Sequence, residues 1–313
     1  MVKSIFCDKS KLAELLASHE EQVLRLTQFV KKGDEVESGC DPVWIEPLQD
    51  ECFELLLGDE VVTSQIIDGV TVRFCEEVAY FEVRQDDVVD LSSVAEMAYQ
   101  KVFRLMEQLP DYQLLRIWNY VPRILEGADE QERYRLFNAG RFAAWQERGP
   151  KDEAGAPVYP AATGIGAYAG PLVVQVLLTR QSVRHVQNYR QVPAATYSGK
   201  FGKLPPVFAR GSLCSGQLII SGTASVLGEE TVHETAKEQA EETLRNLKAL
   251  CSLKNLGACS FEIADLHTIR VYVRKGEDLA EIKQVLVGLD HPIYLRDEIC
   301  RPGLLLEIEG IMG

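Results

Sequence analysis

Hydrophobic positions change period several times along the chain. Between residues 10 and 31, Leu12, Leu15, Leu16, Val23, Leu24, Leu26 and Val30 fall near helical spacing, and Lys31, Lys32 and Gly33 close the run. Residues 33–42 (GDEVESGCDP) are polar and read as a loop. From Val43 to Val83 the pattern shortens into strand-like runs, VWIEPL, EVVTSQII, VTVRF and VAYFEV, parted by turn signals such as Asp68-Gly69. Asp90 then reads as a helix N-cap. Val94, Met97, Ala98, Val102, Leu105, Met106 and Leu109 form one apolar stripe, which Pro110 and Asp111 stop. LLRIWNYVP (114–122) reads as a buried strand. Residues 129–145 read as a helix, with Asp129 and Glu130 at its positive end.

Residues 149–171 are rich in Gly, Pro and Ala, as expected of a boundary or a functional loop. Beyond them the order of elements returns. Strands PLVVQVLLTR, PPVFAR and GQLIISGTASV precede a helix over 231–250, with Val232, Ala236, Ala240, Leu244, Leu247 and Leu250 on one face. A strand (267–274), a helix (278–289) and closing strands IYLRDEIC and LLLEIEGIM complete the chain. The recurrence predicts an α+β fold built from a duplicated module, with an N-terminal domain over 1–150 and a C-terminal domain over 151–313. The length of 313 residues accommodates two such domains.

Composition is that of a globular protein, 46% hydrophobic and 26% charged. The formal net charge of −14 repels phosphate backbones and anionic membranes, so neither nucleic acid nor membrane is an expected partner. An anionic small ligand would need a local pocket of arginines set against that mean field. No window reaches 18 apolar residues, and the N-terminal stretch MVKSIFCDKSKLAELLASHEEQ does not read as a signal peptide. Eight cysteines without a C-x-x-C pair fit a cytoplasmic protein with reduced thiols.

The candidate chemistry is anion binding and proton transfer. None of the five histidines lies at i, i+3 or i, i+4 to another, so no metal site is expected. The Gly164–Gly170 segment has G-x-G-x-x-x-G spacing, which fails the dinucleotide fingerprint. Arg123, Arg210, Arg270 and Arg274 lie in or beside apolar strands. Each alone reads as a salt bridge; as a set they point to a carboxylate-binding pocket. In a closing strand, Glu307 and Glu309 share one face, and Leu306 and Ile308 the other. Periodicity alone reads the pair as exposed carboxylates on the polar face of an edge strand. A carboxyl held among apolar groups would instead keep its proton near neutral pH and serve as a general acid. Tyr120 and Tyr197 are either hydrogen-bond donors to a substrate or packed aromatics.

RIWNYVPRI, ERYRLFNAGR, PAATGIGA, GTASVLGEETVHETAKEQAEETLRNL and the closing EIEG resemble the chorismatase family over most of residues 110–313. The last half also resembles the small trimeric imine-deaminase (RidA-like) module. The resemblance implies two RidA-like (chorismate-mutase-like) mixed-sheet modules with helices packed on one face. It implies cleavage of the dianion chorismate with release of pyruvate, without metal or organic cofactor. Glu307 would protonate the enolpyruvyl methylene, Arg274 would hold a substrate carboxylate, and Tyr120, Tyr197, Arg210 and Arg141 would contact the substrate. Cys300, seven residues before Glu307, and Gly211, after F-A-R, resemble the subgroup that forms 3-hydroxybenzoate, alone or with 4-hydroxybenzoate. The alternatives are a hydrolytic chorismatase giving a dihydroxycyclohexadiene carboxylate and a non-catalytic RidA-like ligand-binding protein. A monomer and a homotrimer are both compatible with the resemblance.

Overall fold

The computed structural model describes residues 2–50, 52–87 and 90–313. The chain starts with strand β1 (Val2–Cys7) and helix α1 (Lys9–His19), whose Asp8 cap accepts the Ser10 N–H at 2.8 Å. Strands β2 (Val23–Phe29), β3 (Asp41–Val43), β4 (Glu46–Pro47) and β5 (Phe53–Gly58) follow. β1, β5, β2 and β3, in that order, form a small sheet. The helix expected over 10–31 therefore ends at His19. Leu12, Leu15 and Leu16 do pack from α1 onto Leu55 and Leu57, but residues 23–29 are drawn into an inner strand bonded on both sides. Tertiary pairing overrides the helical spacing. The expected strand VWIEPL survives only as the end of β3 and as β4. Periodicity passes over β5 because all six of its residues are buried, which removes any alternation.

The first module runs β6 (Thr63–Ile67), β7 (Val70–Cys75), β8 (Val78–Gln85), α2 (Leu91–Glu107), β9 (Gln113–Pro122), α3 (Arg133–Arg148), β10 (Ala161–Ala167) and β11 (Leu172–Thr179). Its sheet order is β10-β9-β11-β8-β7-β6. Asp90 caps α2 as expected, accepting the N–H groups of Ser92 and Ser93 at 3.1 and 3.0 Å. Gly140 of α3 sits so close to α2 that a β-carbon there would overlap Ser92 O.

The second module runs β12 (Val183–Val186), β13 (Gly211–Cys214), β14 (Gln217–Ala224), a small hairpin of β15 (Val226–Leu227) and β16 (Glu230–Thr231), α4 (Ala236–Cys251), α5 (Leu253–Leu256), β17 (Leu266–Val273), α6 (Leu279–Val285), β18 (Ile293–Arg296) and β19 (Leu306–Met312). Its sheet order is β18-β17-β19-β14-β13-β12, with β4 added beside β18. The two orders correspond strand for strand, and in each module one pair is parallel, β9–β10 and β17–β18. The chain is thus a duplicated α+β module.

The sheets nevertheless divide elsewhere than at 150/151. β10 and β11, which the Gly-rich composition and the apolar run had assigned to a boundary and to the second half, close the first sheet, so the changeover falls near residue 180. Both copies carry closing strands. PPVFAR forms no strand; it makes only an isolated bridge from Ala209 to Ala161.

α2 and α3 cover the outer face of the first sheet, and α4 and α6 the outer face of the second. The inner faces meet through Tyr80, Trp118, Tyr120 and Leu177 on one side and Ile219, Tyr272 and Ile311 on the other. Among the described residues no helix is long and apolar enough to cross a membrane.

Candidate active site

A cavity of about 310 Å³ lies where the two modules meet at one end. From the first module, α3 contributes Tyr134 and Arg141, and β10 contributes Thr163 and Gly164. From the second, β19 contributes Glu307, and the segment between β18 and β19 contributes Cys300 and Arg301. The long β12–β13 connection lays Tyr197, Phe201, Phe208 and Arg210 over the remaining side. One chain thus supplies both walls.

Alternation puts Glu307 and Glu309 on one face of β19, as the sequence predicts, but that face is not solvated. Glu307 is 5% exposed and Glu309 2%. Glu309 accepts from Arg116 at 2.6 Å, from Trp118 Nε1 at 3.0 Å and from Tyr272 Oη at 3.2 Å, and also from Arg270 and Thr163. Burial opposes its ionisation, but Arg270 and Arg116 outweigh burial and hold it below the usual carboxylate range. Burial acts unopposed by any comparable ion pair at Glu307, whose pKa is pushed up to about 8. A carboxyl in this state keeps its proton at pH 7.

The arginines divide into two groups. Arg123, Arg270 and Arg274 each have acidic partners: Asp87 and Glu126, Glu54 and Glu309, and Glu298. Arg141, Arg210 and Arg301, all lining the cavity, have no carboxylate partner among the described residues. Arg141 is 3% exposed, its Nε and Nη2 find no acceptor, and its guanidinium is 5.2 Å from the Tyr99 ring centre and 5.5 Å from that of Trp145. Arg210 donates to Tyr197 Oη at 2.6 Å while its Nε stays unpaired. Arg301 stacks on Phe201 at 3.8 Å and donates to the Glu229 carbonyl at 2.7 Å. Buried guanidinium groups without counter-ions are costly, and a bound carboxylate would satisfy them bidentately.

Cys300 faces Glu307 and Arg301, with the Tyr134 hydroxyl beside it. Burial pushes its thiol up to about 12, so it is a neutral group rather than a thiolate nucleophile.

Of the residues expected from sequence, Glu307, Cys300, Tyr197, Arg210 and Arg141 come together here. Three do not. Tyr120 is 1% exposed between the two sheets and lies away from the cavity, beside the buried charges of Arg270 and Arg25. Arg274 lies outside the cavity, bonded to Glu298 at 2.6 Å. Gly211 packs on Leu218, Ile219 and Val186, so a side chain there would crowd strands rather than the cavity. Sequence reasoning missed Tyr134, Thr163 and Arg301. Tyr134, Asn138 and Arg141 recur at i, i+4 and i+7, the spacing of one helix face, and that signal was available.

An acid and three cations that form no salt bridge among the described residues, set in a cleft between duplicated α+β modules, make an enzyme site. Residues 54–178 match the family described as chorismatase FkbO/Hyg5-like, N-terminal. A 3-hydroxybenzoate synthase of Streptomyces hygroscopicus is 33% identical over 265 residues, 78% of this chain and 76% of that protein. A chorismatase of the same organism is 34% identical over 280 residues, 84% of this chain and 80% of that protein. The crystal structure of a chorismatase superimposes with a TM-score of 0.88 at 29% identity, covering 100% of this chain and 98% of that one. The chain belongs to the chorismatase family.

Proposed function

We propose that the protein cleaves chorismate to pyruvate and 3-hydroxybenzoate, with Glu307 as the proton donor. The observation that carries this reading is a buried carboxyl, its pKa pushed up to about 8, that lines one cavity with Arg141, Arg210 and Arg301, cations without a salt bridge among the described residues. Chorismate is a dianionic enol ether, and it matches that arrangement in charge. The relatives named 3-hydroxybenzoate synthase and chorismatase support the same substrate.

Arg210 and Arg301 act electrostatically on Glu307, so they take the carboxylate of the enolpyruvyl arm. Arg141, on the α3 wall, takes the ring carboxylate. Glu307 gives its proton to the methylene carbon, and positive charge develops at the adjoining ether carbon. The carboxylate left on Glu307 faces that charge and stabilises it. Breaking the ring C–O bond sends its electron pair to oxygen and completes the ketone of pyruvate. The ring then rearranges and loses a proton to become aromatic. Substrate less pyruvate is a hydroxybenzoate, so no water is consumed. Cys300, a neutral thiol beside the acid, fills space that a water would need to attack, which favours the aromatic product over a dihydroxycyclohexadiene carboxylate.

The test is incubation of the purified protein with chorismate, with pyruvate assayed and the ring product separated by chromatography. Pyruvate with 3-hydroxybenzoate is expected. Pyruvate with the dihydroxy diene would overturn the product assignment. Pyruvate release no faster than the spontaneous rate would overturn the activity, and binding of a chorismate analogue without turnover would leave a ligand-binding protein.

A further inference from the structure

Glu309 is buried, ionised and unused by the chemistry above, yet it sits two residues from the acid on the same strand face, about 7 Å away by strand geometry. We propose that Glu309 is a positioning residue whose fixed negative charge keeps the proton on Glu307 until substrate arrives. This inference rests on the reading of Glu307 as the proton donor.

The geometry supports it in two ways. First, Glu309 is immobilised: Arg116, Arg270, Trp118, Tyr272 and Thr163 all donate to its two oxygens. Its charge therefore cannot swing away or be diluted by water. Second, the Thr163 hydroxyl donates to Glu309 and accepts from Arg116 and from the Gly222 N–H, the latter at 2.9 Å. That uses all three of its hydrogen-bonding capacities. It also occupies the N–H of Gly222, the residue against which the Glu307 carboxyl lies directly. That N–H is therefore not free to stabilise a carboxylate at 307.

The charged and titratable groups around Glu307 are Arg210, Arg301 and Arg116, the anion Glu309 and the neutral thiol of Cys300. Three of these five are cations and favour the ionised acid. Burial and Glu309 act the other way and prevail. A substrate carboxylate that neutralises Arg210 and Arg301 would hold the proton more firmly still, until the methylene carbon takes it.

The test is an infrared titration. The carbonyl band of the protonated acid is identified as the band present in the parent and missing in Glu307→Gln, and its pH midpoint is followed in Glu309→Gln and Arg116→Met. Removing the neighbouring anion should lower the midpoint by about one unit or more. Removing the neighbouring cation should raise it. Shifts of opposite sign cannot come from general loosening of the core. If one variant fails to fold, the sign of the other decides. A midpoint that does not move, or moves the wrong way, overturns the inference. A band that moves as expected in a protein that releases no pyruvate from chorismate would overturn the proposed function and leave this coupling standing.

Discussion

The carboxyl of Glu307 rests on the backbone of Gly222, so closely that a β-carbon at residue 222 would overlap Oε1. Gly222 lies where the register of β14 against β19 slips, between Ile220 and Thr223. The slip and the missing side chain together make the space in which the acid is held.

Gly222→Ala should therefore displace the acid. Overpacking of this kind costs about 1–3 kcal/mol, read as a lowered unfolding midpoint, together with a fall in kcat. Glu307→Ala in the same chain should recover most of the stability but none of the activity. Additive losses in the double variant would mean that the two residues do not share the space.

Glu307→Gln should lower kcat by about 100- to 10,000-fold, the usual worth of a positioned acid. The variant should also be more stable than the parent at alkaline pH. The folded pKa of Glu307, about 8, lies above the ordinary 4.5. The parent's stability is then intact below pH 4.5 and declines as pH rises towards 8, because the unfolded chain ionises where the folded one retains the proton. Glutamine does not titrate, so its advantage should grow across that window to the order of a few kcal/mol. Denaturant unfolding at pH 5 and pH 9 measures it, and equal differences at both would contradict the protonated state.

The same raised pKa predicts an alkaline limb. With the acid required in its protonated form, kcat/KM for chorismate should fall above about pH 8. A plateau continuing to pH 10 would exclude Glu307 as the donor.

Arg141→Met should raise KM about 10- to 100-fold, the value of a charge-assisted hydrogen-bonding group. It should not destabilise the fold, since the guanidinium is buried with Nε and Nη2 unpaired and methionine fits among Tyr99, Phe137 and Trp145. A large drop in thermal midpoint with an unchanged KM would make it a structural residue instead.

Cys300→Ala opens room beside Glu307 and should divert product from 3-hydroxybenzoate towards the dihydroxy diene, read by chromatography. An unchanged product ratio would reduce Cys300 to packing.

Short-range rules were enough for much of this protein. Asp90 and the stripe Val94–Ala98–Val102–Leu105 specify α2, because a cap and a 3.6-residue period act within a few turns of chain. The recurrence of elements revealed the duplication, and alternation in LLLEIEGIM put Glu307 and Glu309 on one face. Where local spacing and pairing disagreed, pairing prevailed: residues 23–29 have helical periodicity and became an inner strand, and the glycines of 161–167 joined a sheet.

What remained for the tertiary structure was the environment of each charge. The strand pattern could not say whether the Glu307 face met water or a second module, nor which arginines would find an acid. Arg270 and Arg274 read in sequence much like Arg210, yet they pair with Glu309, Glu54 and Glu298, while Arg210 and Arg141 form no salt bridge among the described residues. The reason is physical. Period and propensity are set by neighbours along the chain, whereas the ionisation of a group depends on every charge and solvent path within several ångströms, and those are assembled from residues far apart in sequence: Arg116 and Glu309 are 193 positions apart, and Glu54 and Arg270 are 216.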